Sequence, residues 1–389
     1  MALTTLPTAA FATGSVGTSQ LADGAVTTEK LVADVNFRNL IINGDMSIAQ
    51  RGTSFTEQTS GAYYNDRFKT GISGLGTWTI SQVTDAPTGQ GLVKSQKFDC
   101  TTADASPSAG DFLTYLQPIE GQMLQQIKKG TSSAESLTLS FWVKSNKTGT
   151  YISRLYDVDN QRVISKSYTI SSASTWEKKT LTFAGDTSGT LDNDNGYSFA
   201  VEWCLGAGTN YTSGTLNTSW NSKTDADQFV GQVNLADNTA NEWYITGVQL
   251  EVGTSASDFE FLPYDVNLQR CQRYYQQLNQ NGANGWCTFS GVRNGGADVQ
   301  NIGIPLPTPL RIGNPTITKS SSSLMQAWDV DGYHVTSGGG VGSMTIGSNS
   351  GNDTPYLMLN TNGFTGLNGG SISWSIVLGT PSAEFDAEL

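Results

Sequence analysis

Three segments of this chain alternate apolar and polar side chains with a period of two. Leu137, Leu139, Phe141 and Val143 interleave with Thr138, Ser140, Trp142 and Lys144. Tyr197, Phe199, Val201, Trp203 and Leu205 repeat the pattern, as do Tyr244, Thr246, Val248, Leu250 and Val252. Successive side chains of an extended strand leave on opposite faces, so each segment has one face to bury and one to leave to water. Loops rich in Gly, Asn and Ser separate them, which predicts antiparallel sheets. Further strands are expected at 77–81, 151–156, 162–168 and 179–183, with polar loops at 101–110, 145–149, 186–196 and 206–222 forming a rim. The sum over residues 36–262 is an all-β, jelly-roll-like β-sandwich.

Helical periodicity is confined to short stretches. Ile119, Met123 and Ile127 recur every four residues up to Gly130, which predicts a short amphipathic helix closed by a glycine. Tyr264, Leu268, Cys271, Tyr275 and Leu278 form a stripe after Pro263, which predicts a connector helix within 263–284. Residues 1–35 lack the aromatic content for a core of their own. Thr28 could cap a helix from Glu29 to Val35 with Leu31 and Val35 on one face, too short to stand alone. They are read as an N-terminal attachment or trimerisation segment. Residues 285–389 carry strand patterns at 327–335, 341–346, 356–359 and 372–378, a second small C-terminal β domain and candidate receptor-binding tip. Prolines 305, 307 and 309 argue against a central strand there.

Composition narrows the function classes. Charged residues are 14% of the chain, against roughly 25% in ordinary globular proteins, and 22 basic residues face 34 acidic ones for a net charge of -12. Nucleic acid is excluded as a partner, because phosphate contacts need a clustered basic surface. The doublets Lys128-Lys129 and Lys178-Lys179 read as a helix end or a solvated strand face. No apolar stretch is long enough to cross a bilayer, so no membrane insertion is expected. Four cysteines, with no Cys-x-x-Cys spacing, are read as free thiols rather than a disulfide framework, Cys204 being buried within its strand.

The stretch Asn39-Leu40-Ile41-Ile42-Asn43-Gly44-Asp45-Met46-Ser47-Ile48-Ala49-Gln50-Arg51, followed by Tyr64-Asn65-Asp66-Arg67-Phe68, resembles the opening of tailed-phage tail-fibre and receptor-binding appendage proteins. Leu139 to Ser145, Gly247-Val248-Gln249-Leu250-Glu251-Val252-Gly253, and Pro263-Tyr264 ahead of Arg270-Cys271-Gln272-Arg273-Tyr274-Tyr275 agree with it. So does the leader Ala22-Asp23-Gly24-Ala25-Val26-Thr27-Thr28-Glu29-Lys30-Leu31. The resemblance covers about 21–280 and thins through 285–389. It implies a carbohydrate-binding-module-like jelly roll, a homotrimer on the virion, attachment to other phage tail proteins through the N-terminal segment, and adsorption to host cell-surface polysaccharide. Its alternatives are a structural tail adaptor without receptor binding and a glycan-cleaving depolymerase.

Sugar rings are recognised by aromatic faces, with amides and carboxylates bonding the hydroxyls. Trp328, Asp329, Asp331, Tyr333 and His334 are therefore the first glycan-binding candidates, with Trp286 and Trp220 beside them. The plainer reading of 327–334 is a hairpin whose aromatics pack in a core. Asn43, Asp45 and Glu251 could lend hard oxygens to a structural calcium. Asn43-Gly44-Asp45 is more simply a turn in which the Asn and Asp side chains bond backbone and Gly44 takes positive φ. No other cofactor is expected, since one histidine and scattered cysteines leave little for zinc or iron. An enzyme is not expected either. Gly-x-Ser-x-Gly is absent, and the pairs Asp157/Asp159, Asp192/Asp194 and Asp329/Asp331 read as solvated loop acids. Asp192-Asn193-Asp194-Asn195-Gly196 likewise reads as a loop rather than a calcium site.

Overall fold

A computed structural model describes residues 37–278, 286–293, 300–312, 315–319, 325–328, 334–336, 345–346, 356–361, 371–377 and 383–389. The helix expected over 29–35 lies outside them. The strands before residue 253 are β1 (Ser54–Gln58), β2 (Tyr63–Asn65), β3 (Phe68–Ser73), β4 (Thr77–Val83), β5 (Ser95–Thr102), β6 (Phe112–Glu120), β7 (Leu137–Ser145), β8 (Gly149–Asp157), β9 (Arg162–Ile170), β10 (Glu177–Phe183), β11 (Tyr197–Ala207), β12 (Asn221–Ser222) and β13 (Glu242–Val252). They form two antiparallel sheets, ordered β1-β4-β5-β13-β7-β10 and β12-β9-β8-β11-β6-β3-β2. The chain crosses between the sheets at β1–β2, β3–β4, β5–β6, β6–β7, β7–β8, β9–β10, β10–β11 and β12–β13, which is the habit of a jelly roll.

The period-two residues meet between the sheets. Phe141, Trp203 and Trp243 are fully buried there with Phe98 and Tyr115. Their rings meet edge-on, Phe141 to Trp203 at 5.6 Å and Phe98 to Trp243 at 5.8 Å between centroids. Each such ring buries 150–250 Å², roughly 4–6 kcal/mol of transfer free energy before entropy is subtracted. The central strands depart from the expected one-face burial. Every residue of β11 from Ser198 to Gly206 is buried. The cause is the excursion 208–232, which lays Phe229 against Ile152 and Cys204 on the outer face. Cys100, Cys204 and Cys271 are free and buried.

Two helical expectations are corrected. Ile119 lies in β6, one residue before its end, and the following Gly121–Met123 and Gln125–Ile127 are 3₁₀ turns rather than an α-helix. The connector helix runs only from Tyr264 to Gln272. Tyr275 and Leu278 fall instead in β14 (Tyr275–Leu278), drawn out by antiparallel pairing of Tyr275 with Asp386 and Leu278 with Ala383.

The distal strands are β15 (Trp286–Arg293), β16 (Gln300–Pro305), β17 (Thr316–Lys319), β18 (Met325–Trp328), β19 (His334–Thr336), β20 (Thr345–Ile346), β21 (Tyr356–Thr361), β22 (Ser371–Val377) and β23 (Ala383–Asp386). One sheet has the order β19-β18-β22-β15-β16-β21-β20, and a three-stranded sheet has the order β14-β23-β17. β16 is thus a central strand, against expectation; it tolerates Pro305 because that residue is its last. β14 and β23 lead into and out of the distal strands side by side.

Candidate functional site

Trp220 lies just ahead of β12, which adds to the edge of β9 by pairing Asn221 with Val163 and Ser222 with Arg162. Its indole N–H donates to the Ala184 carbonyl at 2.7 Å, and its ring packs 6.2 Å from Phe199. Half-buried, the ring keeps one region open to a groove of about 290 Å³ that Arg162, Lys166, Asp186, Ser188 and Ser219 also line. Thr187, Thr218, Ser188 and Ser219 stand exposed around it. An indole wall with a hydroxyl rim and fixed charges is the arrangement that suits a sugar ring, apolar on one face and hydroxylated at its edge.

A charge cluster holds that groove in shape. Arg162 makes a two-pronged contact with Asp186, Nε to Oδ2 at 2.7 Å and Nη2 to Oδ1 at 2.9 Å. Lys129 comes from beneath, its side chain 3% exposed, and ion-pairs with Asp186 at 3.0 Å and with Asp157. It also donates to the carbonyls of Ser188 at 2.9 Å and Gly189 at 2.8 Å. Two cations against two carboxylates make the cluster neutral, as buried charges require. Burial alone would raise the Asp186 carboxyl, but Arg162, Lys129 and the Ser188 N–H outweigh it and hold it below the usual carboxylate range. Lys129 therefore corrects the reading of Lys128-Lys129 as a helix end or solvated strand face: it is a buried ion-pair partner, and no local pattern marks it, because its partners arrive from 157 and 186.

The other candidates fall elsewhere. Trp328 and His334 sit directly opposite one another across the β18–β19 hairpin, and Trp328 also pairs with Ser373 of β22. Trp286 opens β15 opposite Val377, on the far side of β22 from that hairpin. Asp329, Asp331 and Tyr333 lie outside the described residues. Of the carboxylate pairs, Asp157 is locked against Lys129 and Asn160, and Asp159 accepts the Asp192 N–H at 3.0 Å. Asp194 caps its own loop by accepting the Gly196 N–H at 2.7 Å, while Asn195 reaches the Arg311 carbonyl at 2.6 Å.

The proposed calcium ligands do not form a set. Asn43 donates to the carbonyls of Ile48 at 2.9 Å and Asp66 at 3.1 Å and accepts the Ile48 N–H at 2.9 Å. Asp45 accepts from Ser47 Oγ at 3.0 Å and from Asn267 Nδ2 at 3.2 Å, and Asn267 in turn accepts the Asn43 N–H. Glu251 belongs to a separate network, accepting from Ser257 N at 2.8 Å, Ser257 Oγ at 2.7 Å and Gln249 Nε2 at 2.9 Å. Among the described residues no cluster of three or more acidic, Cys or His side chains could hold a metal ion. The turn reading stands, with one correction. Positive φ falls on Asn43 (60°) and Met46 (58°), whereas Gly44 answers to close approach: a Cβ there would sit 2.0 Å from the Val248 carbonyl oxygen.

Residues 65–66 and 267–275 converge on this turn. Gln50 donates to Asp66 and to the Tyr275 carbonyl at 3.0 Å. Arg51 lies 3.7 Å over the Tyr275 ring, and Ile42, Ile48, Cys271 and Tyr274 share one small core.

No family model and no curated protein matches the chain. Among solved structures it is similar to the enzymatically active domain of tailspike protein 4 of bacteriophage CBA120, at 15% identity and a TM-score of 0.31 over 56% of this chain. It spans only 22% of that tailspike chain. It is also similar to the family 11 carbohydrate-binding module of Clostridium thermocellum in complex with a β-1,3-1,4-mixed-linked tetrasaccharide, at 9% identity and a TM-score of 0.27, covering 53% of this chain and 98% of that one. Likeness at this level transfers no ligand to the present chain.

Proposed function

We propose that this protein is a virion tail-fibre or appendage protein of a tailed phage that binds host cell-surface glycans for adsorption. It works as a homotrimer attached to other tail proteins through its N-terminal segment. The groove beside Trp220 carries the glycan-binding part of this reading: it is where a predicted candidate aromatic meets exposed hydroxyls and a rigid ion-paired floor. The phage assignment rests on the sequence resemblance alone. Several weak sugar contacts gathered in one trimer would gain through avidity what each lacks.

The adaptor reading draws on a different observation. Of the motifs that carry the resemblance, those at 39–51, 64–68 and 270–275 are consumed in internal contacts around Asn43, Arg67 and Tyr274, which gives them a positional role. One experiment separates the two. Purified protein is applied to immobilised bacterial surface polysaccharides before and after periodate oxidation, beside the variant Trp220→Ala. Glycan binding predicts loss on oxidation and at least tenfold weaker binding by the variant. Binding indifferent to both treatments, or none to any polysaccharide, favours the adaptor. Release of reducing ends in the same assay would support the depolymerase alternative.

A further inference from the structure

Five large apolar side chains stand exposed among the described residues: Phe37 at 62%, Val93 at 66%, Val252 at 37%, Phe261 at 52% and Tyr264 at 65%. Single exposed hydrophobics are ordinary, but a gathering of them marks a contact surface. Hydrogen bonds and a ring contact draw residues 37–39, 258–261 and Gly91 to one place. The Phe37 N–H donates to Glu260 Oε1 and the Asn39 N–H to Glu260 Oε2 at 2.9 Å, pinning residues 37–39 against 259–261. Arg38 donates to the Asp258 carbonyl at 2.7 Å and reaches Glu251, whereas Val252 leaves β13 on the opposite face and stands apart from this gathering. Phe261 stacks edge-on against Phe259 at 4.9 Å and lies over Gly91, where a Cβ would come within 3.0 Å of the ring, two residues from Val93. Tyr264 begins the connector helix three residues on.

We infer that this patch is the seat of the leader's own apolar stripe, Leu31 and Val35, folded back in the same chain. Three observations select that occupant. The leader joins the described structure at Phe37, inside the patch. Val35 is two residues away, so docking closes almost no loop and loses little chain entropy. Residues 29–35, if helical, span about 10 Å, enough to carry Leu31 and Val35 across neighbouring rings. A helix of that length is unstable in water without such a surface. Residues 1–28 are left free to attach elsewhere, and the inference holds whether or not the protein binds glycans.

Hydrogen exchange read by mass spectrometry on the full chain tests it. Amides of 29–35 should exchange at least tenfold more slowly than in a free peptide of the same sequence, unchanged on hundredfold dilution. The double variant Leu31→Ser/Val35→Ser should lose that protection with no change in the exchange of β7, β11 and β13. Phe261→Ser/Tyr264→Ser should lose it too. The leader variant alone decides the question should the second double variant misfold, since its substitutions lie outside the sandwich. Absence of protection in the unaltered chain, or protection that survives Leu31→Ser/Val35→Ser, overturns the inference. Protection lost on dilution overturns it as well, and assigns the patch to a second copy.

Discussion

The guanidinium of Arg67 lies 3.3 Å from the ring centroid of Tyr274 and forms an ion pair with Glu388. Three distant parts of the chain meet in that contact, and both charged side chains are almost wholly buried, Arg67 at 1% and Glu388 at 3%. Arg51 adds a second cation to Glu388 at 3.4 Å, and Arg67 Nη2 donates to the Pro118 carbonyl at 2.6 Å. The sandwich is thereby fastened to the segment that follows β23.

Removing one partner of this pair should cost far more than replacing both. Glu388→Gln leaves Arg67 buried and underpaired, which destabilises by about 3–5 kcal/mol, or roughly 10 °C in melting temperature for a domain of this size. The pairwise change Arg67→Met with Glu388→Leu should lose less than half of that. Thermal melts of the two variants against the unaltered protein check it; equal losses would mean that the pair contributes through packing alone.

Gly44→Ala is predicted to be among the most damaging small substitutions. The added methyl would meet the Val248 carbonyl at 2.0 Å, on backbone that cannot yield without breaking the Val248 N–H bond to the Gly44 carbonyl. A loss of about 3 kcal/mol or more is expected in urea denaturation. Asn43→Gly should be milder on backbone grounds, since φ is 60°, yet still lose about 2 kcal/mol through its bonds to Ile48 and Asp66. Near-neutral behaviour of Gly44→Ala would show that the turn can move.

How much of this was legible beforehand follows from the range of the interactions. β7, β11 and β13 are written in the residues themselves, because period two is a local property. The helical stripe overran its helix because Tyr275 is claimed by Asp386 in the ladder and by Arg51 over its ring, partners more than a hundred and more than two hundred residues away. Trp220 could be picked out as an aromatic in polar surroundings, but nothing near it announces Arg162 or Asp186. Lys129 was misread for the same reason. The turn at Asn43 was visible; that it would be gripped by Asn267 and Asp66 was not.

The groove's charge cluster sets an acid limit on stability. Asp186 has its folded-state pKa depressed below the unfolded value of about 3.9. Its contribution is therefore fully present above that value and is lost as pH falls through the folded-state one. Asp186→Asn should cost roughly 2–3 kcal/mol at pH 7 by leaving Arg162 and Lys129 short of a partner. The gap between variant and parent should narrow steadily below about pH 4. Urea midpoints at pH 7, 4 and 3 measure this; a gap independent of pH would place the loss in packing.

The pairing of β14 with β23 predicts that the distal strands can be removed as a unit. Leu278 and Ala383 are direct antiparallel partners, so the two strands are already the arms of a hairpin whose loop is residues 279–382. Closing them with Asn-Gly, the two-residue connection whose twist suits a hairpin, should leave Phe385, Ala387 and Glu388 seated on the sandwich. The excision also removes β17, which pairs with the other edge of β23, and Arg311, which donates to the carbonyls of Ala387 at 2.7 Å, Glu388 at 3.0 Å and Asn195 at 2.6 Å. A loss of several kcal/mol is therefore expected, with folding still cooperative. The shortened protein should melt in one transition and keep the emission of its buried Trp78, Trp203 and Trp243. An aggregated or non-cooperative product would mean that the distal strands are needed to complete the sandwich. Cooperative folding would establish one doorway through which a distal unit can be exchanged without disturbing the Trp220 groove.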